Sequence, residues 1–404
     1  MAGSRYLSAK EASEELGISL ATLYSYVSRG LIRSEEDGSS KRTRRYLAED
    51  VAALKARKEG REEGRVQDLA WSAPAIETAL TVVQNGRPYY RGQDALRLAG
   101  ERSFEDVAAL LWLDDPDQSA TLFDDAEVQL SARVGAVFRH LEGLTLAETF
   151  QVMLPLLAAS DFGAYDLRPL AVAKTGAHIL STLTTLACGL APAGGIARTL
   201  ARGWAPDNTH AEMLINMALI LCADHDLDLS AYAARCAASA GANPYQVTVA
   251  ALAALQGVRH GGSVEAVDAF WREAALPNGA KPAFASRLRR GDELPGFGSL
   301  VYPDGDPRAR LLLGVLAETH PASPAVRLAD ALAAAGWELV NEHPTLELAL
   351  VTLAYALGLP TGTTLALAAL GRVAGWIGHA IEAYEPHHVI RPRARYTGEA
   401  PNVP

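Results

Sequence analysis

His225 in ADHD, His260 in GVRHGG, Glu347 in PTLELALV, and Arg308, Arg372 and Arg391 are polar residues set into, or at the ends of, strongly apolar segments. Each costs free energy there unless it is paired or used. Two imidazoles, one carboxylate and three guanidiniums together suit the binding of a small polycarboxylate and the movement of a proton beside it. A Gly-rich stretch, GFGSLVYPDGDPRAR, leads into Asp306-Pro307-Arg308. Taken singly, each has a plainer explanation: a histidine at a helix end caps it, and Asp-Pro-Arg or Arg-Pro-Arg make ordinary turns. Several such groups in one chain favour a shared pocket.

The elements that must position these groups are helices. From about Asp68 onward, segments of ten to twenty residues carry apolar positions three and four apart, separated by Gly, Pro, Asp or Asn. HAEMLINMALILCADH, PYQVTVAALAALQG and GTTLALAALGRVAGWIGHAIEAY are examples. Several are apolar nearly all round, as helices inside a large domain are. Alternating strand patterns are scarce; the YYRG turn at Tyr89 to Gly92 closes at most a short hairpin. The fold class expected is all-α.

The first sixty or so residues differ. AKEASEELGISLATLYSYVSRG reads as helix, turn, helix, with Ala12 and Leu16 on one face, Gly17 at the turn, Ser19 as N-cap, and Leu23 and Val27 continuing the apolar face. Thr22, Tyr24, Ser25, Ser28 and Arg29 then face outward, on the side that enters a DNA major groove in helix-turn-helix proteins. Lys41, Arg42, Arg44 and Arg45 form a cluster suited to phosphate, followed by a third helix in AEDVAALKARKEG. The alternative is a solvated loop on a packing or dimerisation appendage. KARKEGREEGR, with mixed signs, reads as a helix extension or a connector.

The 404 residues allow two or three domains, and 49% hydrophobic with 21% charged residues excludes a disordered or collagen-like chain. The net charge of -10 is uneven. Residues 1–67 hold 13 Lys/Arg against 11 Asp/Glu, and the remainder 24 against 36, so nucleic acid is a partner for the N-terminal segment alone. Cys188, Cys222 and Cys236 lack CxxC spacing, so neither a disulfide scaffold nor a zinc site is indicated, no metal is expected, and a reducing cytoplasm fits. No signal layout is visible, and apolar stretches broken by Asp224, Glu347 or Pro360 predict no membrane span.

The N-terminal segment resembles the MerR/excisionase type of winged helix-turn-helix, carried by the Tyr-rich second helix, the Arg-Arg-Tyr wing and the acidic pair Glu49-Asp50 opening the next helix. The body resembles citrate synthase. ADH, GVRHGG, GFGSLVY with DPRA, P-x-x-E, R-x-x-GW-x-x-H and IRPRA stand in that family's order and spacing, with YRG and SFEDVAALLW resembling its N-terminal helices. The resemblance implies citrate synthase-like large and small helical domains behind a small winged helix-turn-helix domain. The expected boundaries are 1–66 for the DNA-binding unit and 67–404 for the body, with the large domain at about 67–230 and 346–404 and the small domain at about 231–345. It further implies a homodimer with Arg391 acting in trans, acetyl-CoA as co-substrate with no permanently bound cofactor, and a reaction of the tricarboxylic acid cycle. By the same resemblance Glu347 stands at the general base, His260 at the donor to the enol, and His225, Arg308, Arg372 and Arg391 at the carboxylate ligands.

Three positions depart from the family's pattern. Ser299 stands where GFGH supplies a second catalytic histidine, and losing one well-placed donor typically removes roughly 3 to 4 kcal/mol of transition-state stabilisation. Glu347 replaces Asp, moving the base by one methylene, and Cys222 replaces a histidine. The expectation is therefore an acyltransferase condensing acetyl-CoA or another acyl-CoA with oxaloacetate or a related 2-oxo acid, slowed or retuned. The alternative is a DNA-binding transcriptional regulator whose body senses a carboxylate or acyl-CoA.

Overall fold

A computed structural model describes residues 6–16, 23, 27, 32–36, 44–52, 76–123, 130–261, 263–277, 279–384, 389–391 and 396–398. It divides into two compact units, 1–75 and 76–404. In the first, β1 (Tyr6–Ser8), β2 (Ser34–Glu36) and β3 (Arg44–Leu47) form an antiparallel sheet in the order β1-β3-β2. The helix α1 (Ala9–Leu16) starts with a reciprocal cap: Ser8 N–H donates to Glu11 Oε2 at 2.8 Å and Glu11 N–H to Ser8 Oγ at 3.2 Å. Ala12, Leu16, Leu23, Ile32, Tyr46 and Val51 make the core of this unit, so the apolar positions expected to meet in one small core, Ala12 and Leu16 with Leu23 and Val27, do so, Val27 at the edge. Asp50, in a helical stretch at 48–52, binds Arg33 through Nε (2.9 Å) and Nη2 (2.7 Å), which holds its carboxyl down at about 2.

The second unit opens with β4 (Thr81–Gln84), β5 (Arg87–Tyr90) and β6 (Gln93–Asp94), an antiparallel meander. The turn at Arg91-Gly92 is the short hairpin suggested by YYRG. Helices follow: α2 (Ala95–Glu101), α3 (Phe104–Leu113), α4 (Ser119–Phe123), α5 (Ala132–Phe138), α6 (Leu146–Ala158), α7 (Pro169–Cys188), α8 (Ile196–Trp204) and α9 (Ala211–Cys222). Next come α10 (Leu229–Ser239), α11 (Pro244–Leu255), α12 (Ser263–Ala274) and α13 (Ala280–Arg290). The last are α14 (Pro307–Thr319), α15 (Pro324–Val340), α16 (Leu346–Leu357) and α17 (Thr363–Tyr384). Apart from two small sheets the regular structure among the described residues is helical, as the periodicity predicts.

Two apolar clusters form within this unit. The larger gathers around α17 and includes Trp112, Leu219, Tyr245 and Trp376. The smaller holds Phe270, Trp271, Phe284 and Leu332 with Leu348 and Val351 of α16; the Phe270 and Phe284 rings meet edge-on at 5.1 Å. Of the stretch 231–345 expected for a small domain, α10 and α11 contribute to the larger cluster, and the smaller one begins at Val264.

One expectation needs correction. α17 spans 22 residues and carries an 18-residue window of mean hydropathy 1.3, long and apolar enough to cross a membrane, although apolar runs were expected to stop short of that. It starts just beyond the Pro360 taken as a break, and 94% of the window is buried among other helices. A helix wrapped on every side is apolar on every side, so hydropathy alone cannot separate it from a membrane span.

Candidate active site

Glycines let α17 approach the end of α9. At Gly375 a Cβ would lie 2.5 Å from both the Ala223 carbonyl oxygen and Asp224 Oδ1, and Gly375 N–H donates to that carbonyl at 2.9 Å. The contact fixes the Ala223–Asp228 segment that carries His225. Gly375→Ala should therefore displace this segment, lowering stability by about 1–3 kcal/mol through overpacking and weakening ligand binding. Denaturant unfolding and calorimetry on the same preparation check both effects.

His225 Nε2 lies 3.0 Å from the Tyr302 hydroxyl. Burial, with Arg308 and Arg372 adding to it, lowers its pKa to about 3, so the ring is neutral at ordinary pH. Behind it lies Asp224, fully buried, 3.3 Å from His379 Nε2. Arg235 reaches His379 Nδ1 at 3.3 Å and Glu382 Oε2 at 2.5 Å, completing a buried polar brace.

Arg308 and Asp306 form a bidentate pair, Nε to Oδ1 at 3.1 Å and Nη2 to Oδ2 at 2.9 Å, with side chains 9% and 2% exposed. Burial opposes the Asp306 charge, but Arg308 overrides it and holds the carboxyl below its ordinary range. Asp306 also caps α14 and accepts Leu346 N–H at 3.2 Å, fixing the first turn of α16, which carries Glu347. Thr345 Oγ1 donates to Glu347 Oε2, and Glu347 is near enough to Arg308 to raise its pKa.

Ser299 sits in a Gly-rich loop held against the approach to α16: Gly298 N–H donates to His343 O (3.0 Å) and Thr345 N–H to Gly296 O (2.9 Å). Gly298 has φ +77°, and a Cβ there would strike Glu342 Oε2 at 2.8 Å. The Ser299 hydroxyl accepts Tyr302 N–H at 3.2 Å, so this side chain braces its own turn. With Tyr302, Asp306, Glu342 and His343 it lines a shallow depression.

Arg372, 5% exposed on α17, binds Asp228 Oδ2 through Nη2 and lies 3.3 Å from Ser230 Oγ. His260, in the turn before α12, places Nε2 3.5 Å from Asp228 Oδ1. No hydrogen bond is made there, which leaves a buried ring nitrogen without a partner. Asp228 thus links an expected donor to an expected clamp, and charge effects from Arg308, Arg372, Asp228 and Asp306 all reach His225. The Cys222 thiol lies in the same field, and burial pushes it up to about 12, so it stays protonated at ordinary pH. No hydrogen bond or ion pair joins His260 to Glu347 among the described residues. Arg391 is exposed and makes no such link to Arg308 or Arg372 within the chain, while its neighbour Ile390 donates to Ser239 Oγ at 3.4 Å.

Sequence reasoning passed over Asp228 and Tyr302. Asp-x-Ser before an apolar run is an N-cap signal for α10, and Asp228 does cap it, but nothing local announces a partner 144 residues away. Of the expected DNA-contacting residues, Thr22, Tyr24, Arg29, Lys41 and Arg42 lie outside the described residues. Arg44 and Arg45 are exposed on β3; Arg45 sits opposite Glu35 and 5.9 Å over the Tyr6 ring. Among the described residues no group of three or more His, Cys, Asp or Glu could hold a metal ion.

The comparisons with known proteins bear on this geometry. The family model for the C-terminal domain of citrate synthase matches residues 69–393. The chain belongs to the citrate synthase family. A helix-turn-helix domain model matches residues 6–59, ahead of the citrate synthase region. Citrate synthase 2 of Bacillus subtilis is 27% identical over 367 residues, 83% of this chain and 95% of its own. A 2-methylcitrate synthase of Shewanella oneidensis is 25% identical over 369 residues, covering 81% and 93%. The crystal structure of citrate synthase from Thermotoga maritima superposes with a TM-score of 0.71 at 26% identity, covering 82% of this chain and 96% of that one.

Proposed function

We propose that the chain condenses an acyl-CoA with a 2-oxo acid, oxaloacetate or a relative of it, as a homodimeric, cytoplasmic enzyme carrying its own DNA-binding head. The observation that carries this reading is a pair of buried groups, His260–Asp228–Arg372 and Arg308–Asp306 with the first turn that bears Glu347, whose charges both act on His225. Glu347 removes a proton from the acyl α-carbon while the His260 ring faces the enolate oxygen. The α-carbon then bonds to the keto carbon of the acceptor, whose oxygen becomes a hydroxyl. Water cleaves the thioester, releasing CoA thiol and a new carboxylate. Arg308 and Arg372 hold the acceptor, neutral His225 donates toward it, Ser299 shapes the wall, and Arg391 is supplied in trans. The relatives' names, citrate and 2-methylcitrate synthase, include acyl chains of different length, so propionyl-CoA stands beside acetyl-CoA as a donor. Thiol release by the full-length chain with both donors and a panel of 2-oxo acids tests this. Absence of turnover with every pair defeats it.

A second reading, a DNA-binding regulator that senses a carboxylate or acyl-CoA, is favoured by the helix-turn-helix match over 6–59 and by exposed Arg44 and Arg45. Replacing both arginines with alanine should weaken duplex binding evenly across sequences and reduce the slope of log affinity against log salt by roughly 2. A salt titration of DNA affinity measures this, and an unchanged slope removes these residues from the interface.

A further inference from the structure

Of the three arginines expected to clamp a substrate, Arg308 and Arg372 already hold a carboxylate of the protein. The Arg308–Asp306 pair has a structural reason, since Asp306 caps α14 and anchors α16. Asp228 is different. Its Oδ1 accepts Ser230 N–H (3.0 Å), Ala231 N–H (3.0 Å) and the Ser230 hydroxyl (2.8 Å), a capping task that a neutral side chain performs equally well. Its Oδ2 turns instead to Arg372, and Oδ1 lies 3.5 Å from the unpartnered Nε2 of His260. A fixed negative charge therefore stands between the enolate-facing imidazole and one of the three expected clamp guanidiniums.

We infer that Asp228 is the specificity residue of this pocket: by occupying Arg372 it selects an acceptor with one carboxylate, a 2-oxo monocarboxylic acid, over a dicarboxylic one. The inference rests on the condensation reading for the identity of the acceptor. A second carboxylate arriving at Arg372 has to share the guanidinium with Asp228 at close range, where like charges repel strongly in a site screened from water. A 2-oxo acid ending in an alkyl group meets no such opposition. The balance of the reaction is unaltered: the acyl α-carbon loses a proton to Glu347 and bonds to the keto carbon. The keto oxygen becomes a hydroxyl, and water cleaves the thioester to give CoA thiol and a 2-hydroxy-2-alkylsuccinate.

The test uses the full-length chain and two ligands of equal carbon number, oxaloacetate and 2-oxobutyrate, with calorimetric affinities for the natural chain and for Asp228→Asn. Asparagine retains the N-cap, so the fold is maintained, and Asp228→Glu serves as the charge-retaining comparison. The natural chain is expected to bind 2-oxobutyrate at least as tightly as oxaloacetate. Asp228→Asn is expected to shift the ratio of the two affinities at least tenfold toward oxaloacetate, and Asp228→Glu not to do so. A tenfold preference of the natural chain for oxaloacetate, a ratio unmoved by Asp228→Asn, or no binding of either ligand by either protein overturns the inference. Thiol release measured alongside separates the two readings. A shifted ratio without turnover of any acyl-CoA leaves the inference standing and removes the condensation, whereas turnover with an unmoved ratio does the reverse.

Discussion

Arg308→Ala is expected to destabilise the body by about 3–5 kcal/mol and to abolish 2-oxo acid binding, because it strands the buried carboxylate of Asp306. The loss has two parts. The bidentate pair disappears, and the unpaired carboxylate weakens the caps it provides to α14 and to the first turn of α16. The pH dependence identifies the cause. In the natural chain the Asp306 carboxyl is held below its ordinary value, so its stabilising contribution is present above about pH 4 and is lost as pH falls through its lowered folded value. In Arg308→Ala only the backbone N–H groups of residues 308 and 346 remain to oppose burial, which then raises the group, so stability should now fall as pH rises through the carboxylate range toward neutrality. Urea unfolding at pH 5 and pH 7.5 distinguishes the two: Arg308→Ala should gain stability at the lower pH, and the same loss at both values would contradict the mechanism.

Glu347→Gln is expected to lower turnover by about 100- to 10,000-fold while leaving acceptor affinity within a few-fold. The amide oxygen can still accept from Thr345 Oγ1, and the fold of α16 rests on Asp306 rather than on Glu347. What is lost is the lone pair that takes the α-proton. Single-turnover thiol release compared with calorimetric affinity separates the two effects, and a parallel fall in both would assign Glu347 to binding rather than to proton transfer. In the natural chain, exchange of the acyl α-protons with solvent deuterium should accompany turnover, and Glu347→Gln should lose that exchange as well.

Much of the architecture was legible because helix periodicity, caps and turns are local. Ser103 with Asp106, Thr145 with Glu148 and Asn243 with Gln246 form capping boxes where the sequence places a cap and its partner three residues on. The apolar faces of the N-terminal unit and the YYRG hairpin followed from spacing in the same way. The boundary between the two apolar clusters was not legible. α10 and α11 are as apolar as their neighbours, and only packing decides which cluster each one joins.

The candidate site divides along the same line. Residue type and order alone singled out His225, His260, Glu347, Arg308 and Arg372 as candidates for the chemistry of one family, since motifs of fixed local spacing carry that information. Only the tertiary structure decided what each side chain meets. Asp228, which carries no more than a local N-cap signal, becomes the partner of Arg372 because α17 lies against the segment that follows α9. Ser299 reads as a substituted donor and is found bracing its own turn. The physical reason is range: periodicity, caps and turns are set by neighbours a few residues away, whereas the charge balance of a pocket is set by groups that folding brings together from more than a hundred residues apart.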